Sequence, residues 1–282
     1  MRFHKDTAEL FVPDGMAPEA ALSRTTHLCV GAHQDDIEIM AYHGIAECFG
    51  RDDRWMTGVV VTNGAGSSRT GIYGHFTDED MQRIRRREQR KAAVVGEYAA
   101  QIQLDYTSAE VKDPQLSTVG DDLYAIFQAA SPEVVYLHNP ADKHDTHVAV
   151  MLRSLAALRR LPADRRPRTV YGCEVWRSLD WVNDEEKVVL PASQYPNIAA
   201  ALVGIFDSQI SGGKRYDLAT AGRRLANATY FASHASDVVD AATYALDLTP
   251  LVQDPSLSIE EFTLGYVDRF RRDVQARLAR FR

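Results

Sequence analysis

The stretch "HLCVGAHQDDIEIM", residues 27–40, places several ionisable side chains directly behind an apolar run. Residues 26–31 have the pattern of a short buried strand, and apolar side chains recur at helical spacing over 37–49. The turn between them therefore joins a strand to a helix, and it contains His33, Asp35 and Asp36. Carboxylates in such a turn often only cap the helix, so this cluster has to be judged together with the rest of the chain.

Further strands and helices alternate along the chain. β-rich runs occupy 55–64, 132–140 and 168–176, and helices are predicted over 78–100, 119–130, 145–160, 193–207, 214–227 and 259–279. This alternation predicts an α/β fold with a largely parallel sheet, helices on both of its faces and a C-terminal helical extension. No domain boundary is evident, so we expect a single domain over 1–282, with a core at about 24–210 and the extension at about 211–282.

Composition narrows the class of protein. The chain of 282 residues is 45% hydrophobic and carries a net charge of −7, which provides no general attraction for nucleic acid. No apolar run approaches the roughly 20 residues of a membrane span. The three cysteines, Cys29, Cys48 and Cys173, are odd in number and widely spaced, which favours a reduced protein and a cytoplasmic location. A homo-oligomer is compatible with these features, but the sequence does not specify one.

A second polar cluster, "HNPADKHDTHVAV" (138–150), follows the third predicted strand. It contains His144 and His147, three residues apart at the start of a predicted helix. In open α/β sheets ligands bind outside the carboxyl ends of the strands, so we expect the two clusters to face one crevice. Neutral imidazole together with carboxylate is a donor set typical of zinc, although other divalent metals also accept it.

Spacing suggests a role for each side chain. His33 and Asp36 can reach one ion from a helix entrance, and His147 completes three protein ligands with a fourth position open for water. Asp35 remains free to act as the general base on that water. His144 is then available to stabilise an oxyanion or to protonate the leaving amine. The predicted chemistry is metal-assisted hydrolysis of an amide or a similar acyl bond.

At these two clusters the sequence resembles a known family. "AHQDDIE" (32–38) resembles the Ala-His-Pro-Asp-Asp-x-Glu motif of the PIG-L/LmbE-like zinc N-deacetylases, and "HDTH" (144–147) resembles their second motif, usually His-Pro-Asp-His. "RRREQRKAAVVG" (85–96) and "FDSQ" (206–209) are similar to further segments of the family. The resemblance implies a Rossmann-like fold with one Zn²⁺ and the removal of acetyl from N-acetylglucosamine units.

Aligning the motifs implies the same site. His33, Asp36 and His147 match the zinc ligands, Asp35 matches the general base, and His144 matches the imidazole that stabilises the tetrahedral oxyanion.

Two departures from the family motifs stand out. Gln34 replaces the usual proline, and Asp145-Thr146 replaces Pro-Asp. The second change moves the carboxylate that commonly holds a ligand histidine. Asp142 and Asp145 are both candidates for that position, and the sequence does not choose between them.

Contacts to the substrate are predicted from the segments behind the strands. Arg69 is the only cation in the glycine- and serine-rich loop over 64–76, and Trp176 and Arg177 follow the fourth predicted strand. His234 is distant in sequence but could reach the site through a loop. An aromatic face with polar neighbours suits a small amino sugar or a glycoside.

Other functions remain open at this point. The same site could serve an amidase that acts on a thiol conjugate or another small metabolite. From a different class, the chain could be a sugar-binding module without catalysis. A nucleotide-binding domain is disfavoured because no G-x-G-x-x-G follows the first strand.

Overall fold

A mixed sheet of eight strands, β1 to β8, forms the centre of the computed structural model, which describes all 282 residues. The strand order is β1-β4-β3-β2-β5-β6-β8-β7. The five strands from β4 to β6 in this order run parallel, and β1, β8 and β7 add antiparallel pairs. In chain order the strands are Glu9–Phe11, His27–Gly31, Met56–Thr62, Ala100–Tyr106, Val134–His138, Thr169–Cys173, Val188–Pro191 and Ala242–Asp247.

The direction of winding reverses at β2. From this strand the chain first builds β3 and β4 on one side, and it later returns to place β5 and β6 on the other. The carboxyl ends of β2 and β5 therefore border the crevice at the topological switch point, where ligands bind in folds of this kind.

Twelve α-helices, α1 to α12, surround the sheet. One apolar cluster contains Leu123, Leu155 and Leu251, and a second contains Ile45 and Leu202. Both faces of the sheet are thus covered, which confirms the predicted fold class. The helices are Pro18–Ser23, Asp36–Met40, Tyr42–Cys48, Asp78–Val95, Ser108–Lys112, Thr118–Ala130, Asp145–Arg159, Pro196–Gly204, Asp207–Ile210, Tyr216–Tyr230, Thr249–Gln253 and Ile259–Ala279.

The helix predicted over 78–100 was wrong at its C-terminal end. α4 ends at Val95, Gly96 follows as its C-cap, and β4 begins at Ala100. β4 was missed because Gln101 and Gln103 interrupt its apolar pattern, yet both glutamines are buried. β1, β7 and β8 were also missed, and the helix predicted over 37–49 is divided at Ala41 into α2 and α3.

The segment predicted as a C-terminal extension contributes to the sheet. β8 lies between β6 and β7, and α10 packs beside it. The last helix, α12, spans the predicted residues 259–279. None of the helices combines the length and the apolarity that crossing a bilayer requires.

Tight packing between α3 and β5 gives a stability prediction. A Cβ atom added to Gly44 would lie 2.6 Å from a ring carbon of Tyr136, so Gly44→Ala should lower the free energy of unfolding by about 1–3 kcal/mol. Gly120 is also helical, but a Cβ there meets no atom within 4 Å, so Gly120→Ala should raise the free energy by about 0.5–1 kcal/mol. Urea unfolding measures both changes, and a Gly44→Ala variant as stable as the parent would contradict the packing.

Candidate metal centre

A polar cavity opens at the carboxyl ends of β2 and β5. Its volume is about 630 Å³, and most of the residues that line it are polar. His33, Asp35 and Asp36 enter it from the turn behind β2, and His144 enters from the loop behind β5. The structure therefore brings the two polar clusters of the sequence to one place.

Three donor atoms meet at the floor of this cavity. His33 Nδ1 lies 3.3 Å from Asp36 Oδ2 and 3.2 Å from His147 Nε2, and the last two atoms are 3.5 Å apart. Ligands at zinc distances of about 2.0–2.1 Å in a tetrahedron are separated from one another by about 3.3–3.4 Å. The spacing of these atoms thus fits a tetrahedral cation without rearrangement. The backbone N–H of His33 also donates to Asp36 Oδ2 over 2.7 Å, which holds the carboxylate in place.

The protonation states suit metal binding. Burial lowers the pKa of His33 to about 4, so this imidazole is neutral near pH 7. Burial alone would raise the pKa of Asp36, but His147 and His138 outweigh it and hold that pKa well below the usual range. Burial lowers the pKa of His147, yet the Asp36 and Asp142 carboxylates raise it on balance. This corner of the site therefore favours positive charge, and a divalent cation is one way to supply it.

Two more histidines adjoin the three donors, and His147 can be grouped with either. One group of close donor atoms is His33, His144 and His147, and the other is Asp36, His138 and His147. His138 Nε2 accepts the N–H of Ala32 at 2.9 Å, and its ring stacks on His147 with the centroids 3.9 Å apart. Since that nitrogen is already engaged, His138 is better suited to pack beside a ligand than to be one.

His144 differs from His138 because it faces the cavity. Its ring stacks on His147 with 4.5 Å between centroids and meets His33 edge-on at 5.0 Å. Its Nδ1 has no hydrogen-bond partner in the protein. This nitrogen is buried, and the His144 residue lines the cavity.

Asp142 is the carboxylate that contacts a candidate ligand. Its Oδ2 lies 3.2 Å from His147 Nδ1 and accepts a hydrogen bond from the backbone N–H of Trp176. Its Oδ1 accepts hydrogen bonds from the backbone N–H groups of His144 and Arg177. Carboxylates in this position fix the tautomer and the orientation of a metal-binding histidine. Asp145, the other candidate from the sequence, is instead exposed in the first turn of α7.

Asp35 and Asp36 are adjacent in sequence, but their side chains contact different groups. The φ angle of Asp35 is 93°, in the left-handed region, where non-glycine residues are uncommon. One Asp35 oxygen is 3.5 Å from a guanidinium nitrogen of Arg85. Burial raises the pKa of Asp35 well above its ordinary value although Arg85 opposes this, as expected for a carboxylate that can hold a proton.

Arg85, on α4, is a cavity residue to which the sequence alone assigned no role. It is 3% exposed, lines the cavity and donates to the backbone oxygen of Gln34 at 2.5 Å. The missing signal was spacing, because Met81, Arg85, Gln89 and Ala92 recur on one helix face and are all buried.

Gln34, which replaces the proline of the family motif, has a structural explanation. The side chain is buried, and its Nε2 donates to the carbonyl of Thr62 at the end of β3 over 3.1 Å. Tertiary hydrogen bonds thus restrain this turn where a proline ring would restrain it through the backbone.

Of the four residues predicted to contact substrate, only Trp176 lines the cavity. The guanidinium group of Arg69 binds Ala65 O and Phe76 O in its own loop and Asp78 at the start of α4, so its contact to a substrate stays a prediction. The side chain of Arg177 is exposed, and only its backbone N–H points towards Asp142. His234 is exposed between α10 and β8 and is not part of the cavity wall.

The contact between Asp142 and His147 predicts an effect on metal affinity. Asp142→Asn should weaken divalent metal binding by about 10–100-fold, because the amide holds the imidazole less firmly. Asp145→Asn is the matched control and should leave the affinity unchanged, since Asp145 is exposed. Competition with a chromophoric chelator measures both, and equal affinities for the two variants would contradict the assignment.

Comparison with solved structures identifies the fold. A hydratase, GalB, the 4-carboxy-2-hydroxymuconate hydratase from Pseudomonas putida KT2440, is 17% identical with a TM-score of 0.58, over 79% of this chain and 95% of that one. The N,N'-diacetylchitobiose deacetylase from Pyrococcus horikoshii is 15% identical with a TM-score of 0.59, over 82% and 86%. An A40926 pseudoaglycone deacetylase is 14% identical with a TM-score of 0.57, over 79% and 97%. At these identities the likeness concerns the fold.

Comparison of sequences adds the family. No curated protein matches the chain. The family model described as PIG-L: GlcNAc-PI de-N-acetylase matches residues 28–158, a range that includes both polar clusters and all three donor residues. Over this segment, which is a little under half of its length, the chain is similar to the PIG-L family.

Proposed function

We propose that the protein is a metal-dependent hydrolase that removes an acyl group, in the simplest case acetyl, from the nitrogen of an amino sugar. The observation that carries the proposal is the set of three donor atoms, each 3.2–3.5 Å from the others, beside the separate buried carboxylate of Asp35. The match of residues 28–158 to the PIG-L family model and the likeness to named deacetylases support the same reaction.

Zinc is the proposed metal because two imidazoles and one carboxylate form a typical catalytic zinc set with an open fourth position. His33, Asp36 and His147 would hold it. When bound, a zinc ion polarises a carbonyl group and lowers the pKa of a water molecule to about 7. The same residues accept other divalent cations, so the identity of the metal is part of what the experiment determines.

The protein's own groups then account for the proton transfers. Asp35 accepts a proton from the attacking water, whose oxygen bonds to the acyl carbon, and it later returns that proton to the leaving nitrogen. His144 faces the same cavity and donates a hydrogen bond to the carbonyl oxygen as that oxygen gains negative charge. Breaking the carbon–nitrogen bond yields a free carboxylate and an amine.

The cavity favours a polar substrate. Most of the residues that line it have hydroxyl, amide or charged groups, which can bind the hydroxyl groups of a sugar. Trp176 adds an aromatic face on which a pyranose ring can lie. An amide of a thiol conjugate would use the same metal and base, so a screen of substrates decides between these two classes. The three free, buried cysteines suit the reducing cytoplasm, which we propose as the compartment.

Substitution of the proposed base tests the mechanism. Asp35→Asn should lower kcat for acetate release from an N-acetylated sugar by about 10²–10⁴-fold, because the amide cannot accept the proton of water. The variant should keep its metal, since Asp35 is outside the donor set. Asp145→Asn serves as the control with wild-type rate, and an Asp35→Asn enzyme with wild-type kcat would contradict the role.

Removal of the metal tests the class of enzyme. Dialysis against a chelator should abolish acetate release, and stoichiometric zinc should restore it, because the donor atoms alone cannot polarise the acyl group. Acetate release and metal content should be measured on the same samples. Full acetate release in a preparation without metal would refute the dependence on metal. No acetate release from any N-acetylated sugar by the metal-loaded protein would favour a sugar-binding or a water-adding role instead.

A further inference from the structure

The last helix, α12, carries apolar side chains that the rest of the protein leaves uncovered. Their exposed fractions run from 38% to 90%, and the residues are Leu257, Leu264, Val267, Val274, Leu278 and Phe281. Leu257 precedes the helix by two residues, and Phe281 follows it by two. Single apolar residues on a surface are ordinary, but a row of them along one helix marks an interaction surface.

The spacing within this row is a heptad repeat. When Glu260 and Arg271 are counted with the six apolar residues, the steps along the chain alternate between three and four residues from 257 to 281. These eight positions will be called the heptad stripe. Alternating steps of three and four are the a/d pattern of helices that pack against each other as a coiled coil, whereas a helix that only covers its own domain has a wider apolar face.

α12 packs on its own domain through another face. Tyr266 belongs to the larger apolar cluster, Phe262 packs against it, and the ring of Phe270 is 6.3 Å from that of Trp181. This packing ends before Val274, since every residue from there to the end of α12 is exposed. A short helical segment without packing is marginal in water. The end of α12 therefore lacks a partner for its apolar side within one copy of the chain.

The charges in the heptad stripe favour an antiparallel pair of this helix with itself. Two copies in parallel register would set Glu260 against Glu260 and Arg271 against Arg271, and like charges in an interface cost free energy. In an antiparallel pair, with the two-fold axis near residue 269 at the middle of the stripe, Glu260 lies opposite Leu278 and beside Arg277 of the second copy. The side chain of Arg277 is 69% exposed, so it is accessible for this contact.

The same register places the rest of the stripe in matched layers. Leu264 lies opposite Val274 of the second copy, and Val267 lies opposite the aliphatic stem of Arg271. Arg271 and Asp268, which are 3.1 Å apart within one copy, then surround the axis in both copies, with two charges of each sign. A pattern that complements itself is what a two-fold interface requires, because the same surface serves both partners.

From the heptad stripe, its charges and the unsupported end of the helix, we propose that α12 pairs antiparallel with α12 of a second copy, so that the protein forms a two-fold symmetric dimer. No residue of α12 lines the metal cavity, so the pairing leaves both cavities open and is independent of the reaction. A single pair of helices is a small interface. We therefore expect a dimer that dissociates at micromolar concentrations.

Sedimentation velocity of the full-length protein tests the dimer. Over about 1–100 µM, the mass should rise from 31.5 kDa towards twice that value. Leu278→Glu should weaken association by about 30–100-fold, because each dimer loses two leucine contacts. Leu225→Glu on α10 is the matched control, since Leu225 is 57% exposed and Leu278 is 53% exposed, and it should keep the parental affinity. A parent that stays monomeric, or a dimer that Leu278→Glu leaves intact, would overturn the proposal.

Charge reversal tests the orientation of the two helices. Glu260→Arg and Arg277→Glu should each weaken the dimer by about 3–10-fold, because each variant sets like charges side by side twice in the dimer. The double variant should regain an affinity within about twofold of the parent, since the pair is restored with its signs exchanged. A double variant that is no tighter than the single variants would overturn the antiparallel pairing. This comparison needs no apolar substitution, so it holds even if Leu278→Glu impairs folding.

Flotation with lipid vesicles tests the competing occupant. An amphipathic helix with several arginines can also lie on an anionic membrane. We expect the full-length protein not to float with vesicles of phosphatidylcholine and phosphatidylserine, because its stripe is covered by the second copy. A monomeric parent that floats with these vesicles, and that Leu278→Glu releases from them, would overturn the proposal in favour of a membrane surface.

Discussion

The contact between Asp36 and His147 is the constraint on which the rest of the site depends. These residues are 111 positions apart in sequence, yet Oδ2 and Nε2 must come within 3.5 Å for one ion to bridge them. The parallel pairing of β2 with β5 achieves this by ending two strands side by side at the switch point of the sheet. The Asp36 carboxylate is held ionised by His147 and His138, so this point of the site favours a cation.

Around this contact, the chain departs at two positions from the motifs that it resembles, and the structure shows what the residues there contact. Gln34 replaces a proline and restrains the turn by a hydrogen bond to Thr62 O. Asp142 supports His147 from a position five residues earlier, and its N–H partners include Trp176, so the aromatic wall and the candidate ligand share one carboxylate. At both departures from the motif, a hydrogen bond from another residue type restrains the turn or the candidate ligand.

Features with a local sequence pattern could be predicted, whereas features that depend on contacts with other elements could not. The turn at His33 and Asp36, the strand β2 and the helix α12 carry local patterns, and they could be read directly. β4 could not, because its buried Gln101 and Gln103 interrupt the apolar pattern and find hydrogen-bond partners on α4, at Gln89 and at the backbone oxygen of Arg86. Arg69 and Arg85 illustrate the same limit in the site. Both are cations near the crevice, but Arg69 binds groups four to nine residues away, whereas Arg85 reaches Gln34, 51 residues away, and lines the cavity.

The central claim is that His33, Asp36 and His147 together hold a divalent metal. A crystal structure of the zinc-loaded protein, with an anomalous difference map at the zinc edge, tests it most directly. The account predicts one peak about 2.0–2.1 Å from His33 Nδ1, an Asp36 oxygen and His147 Nε2, with a fourth position facing Asp35. A peak bound through His138 or His144 in place of one of these residues, or no peak in the cavity, would contradict it.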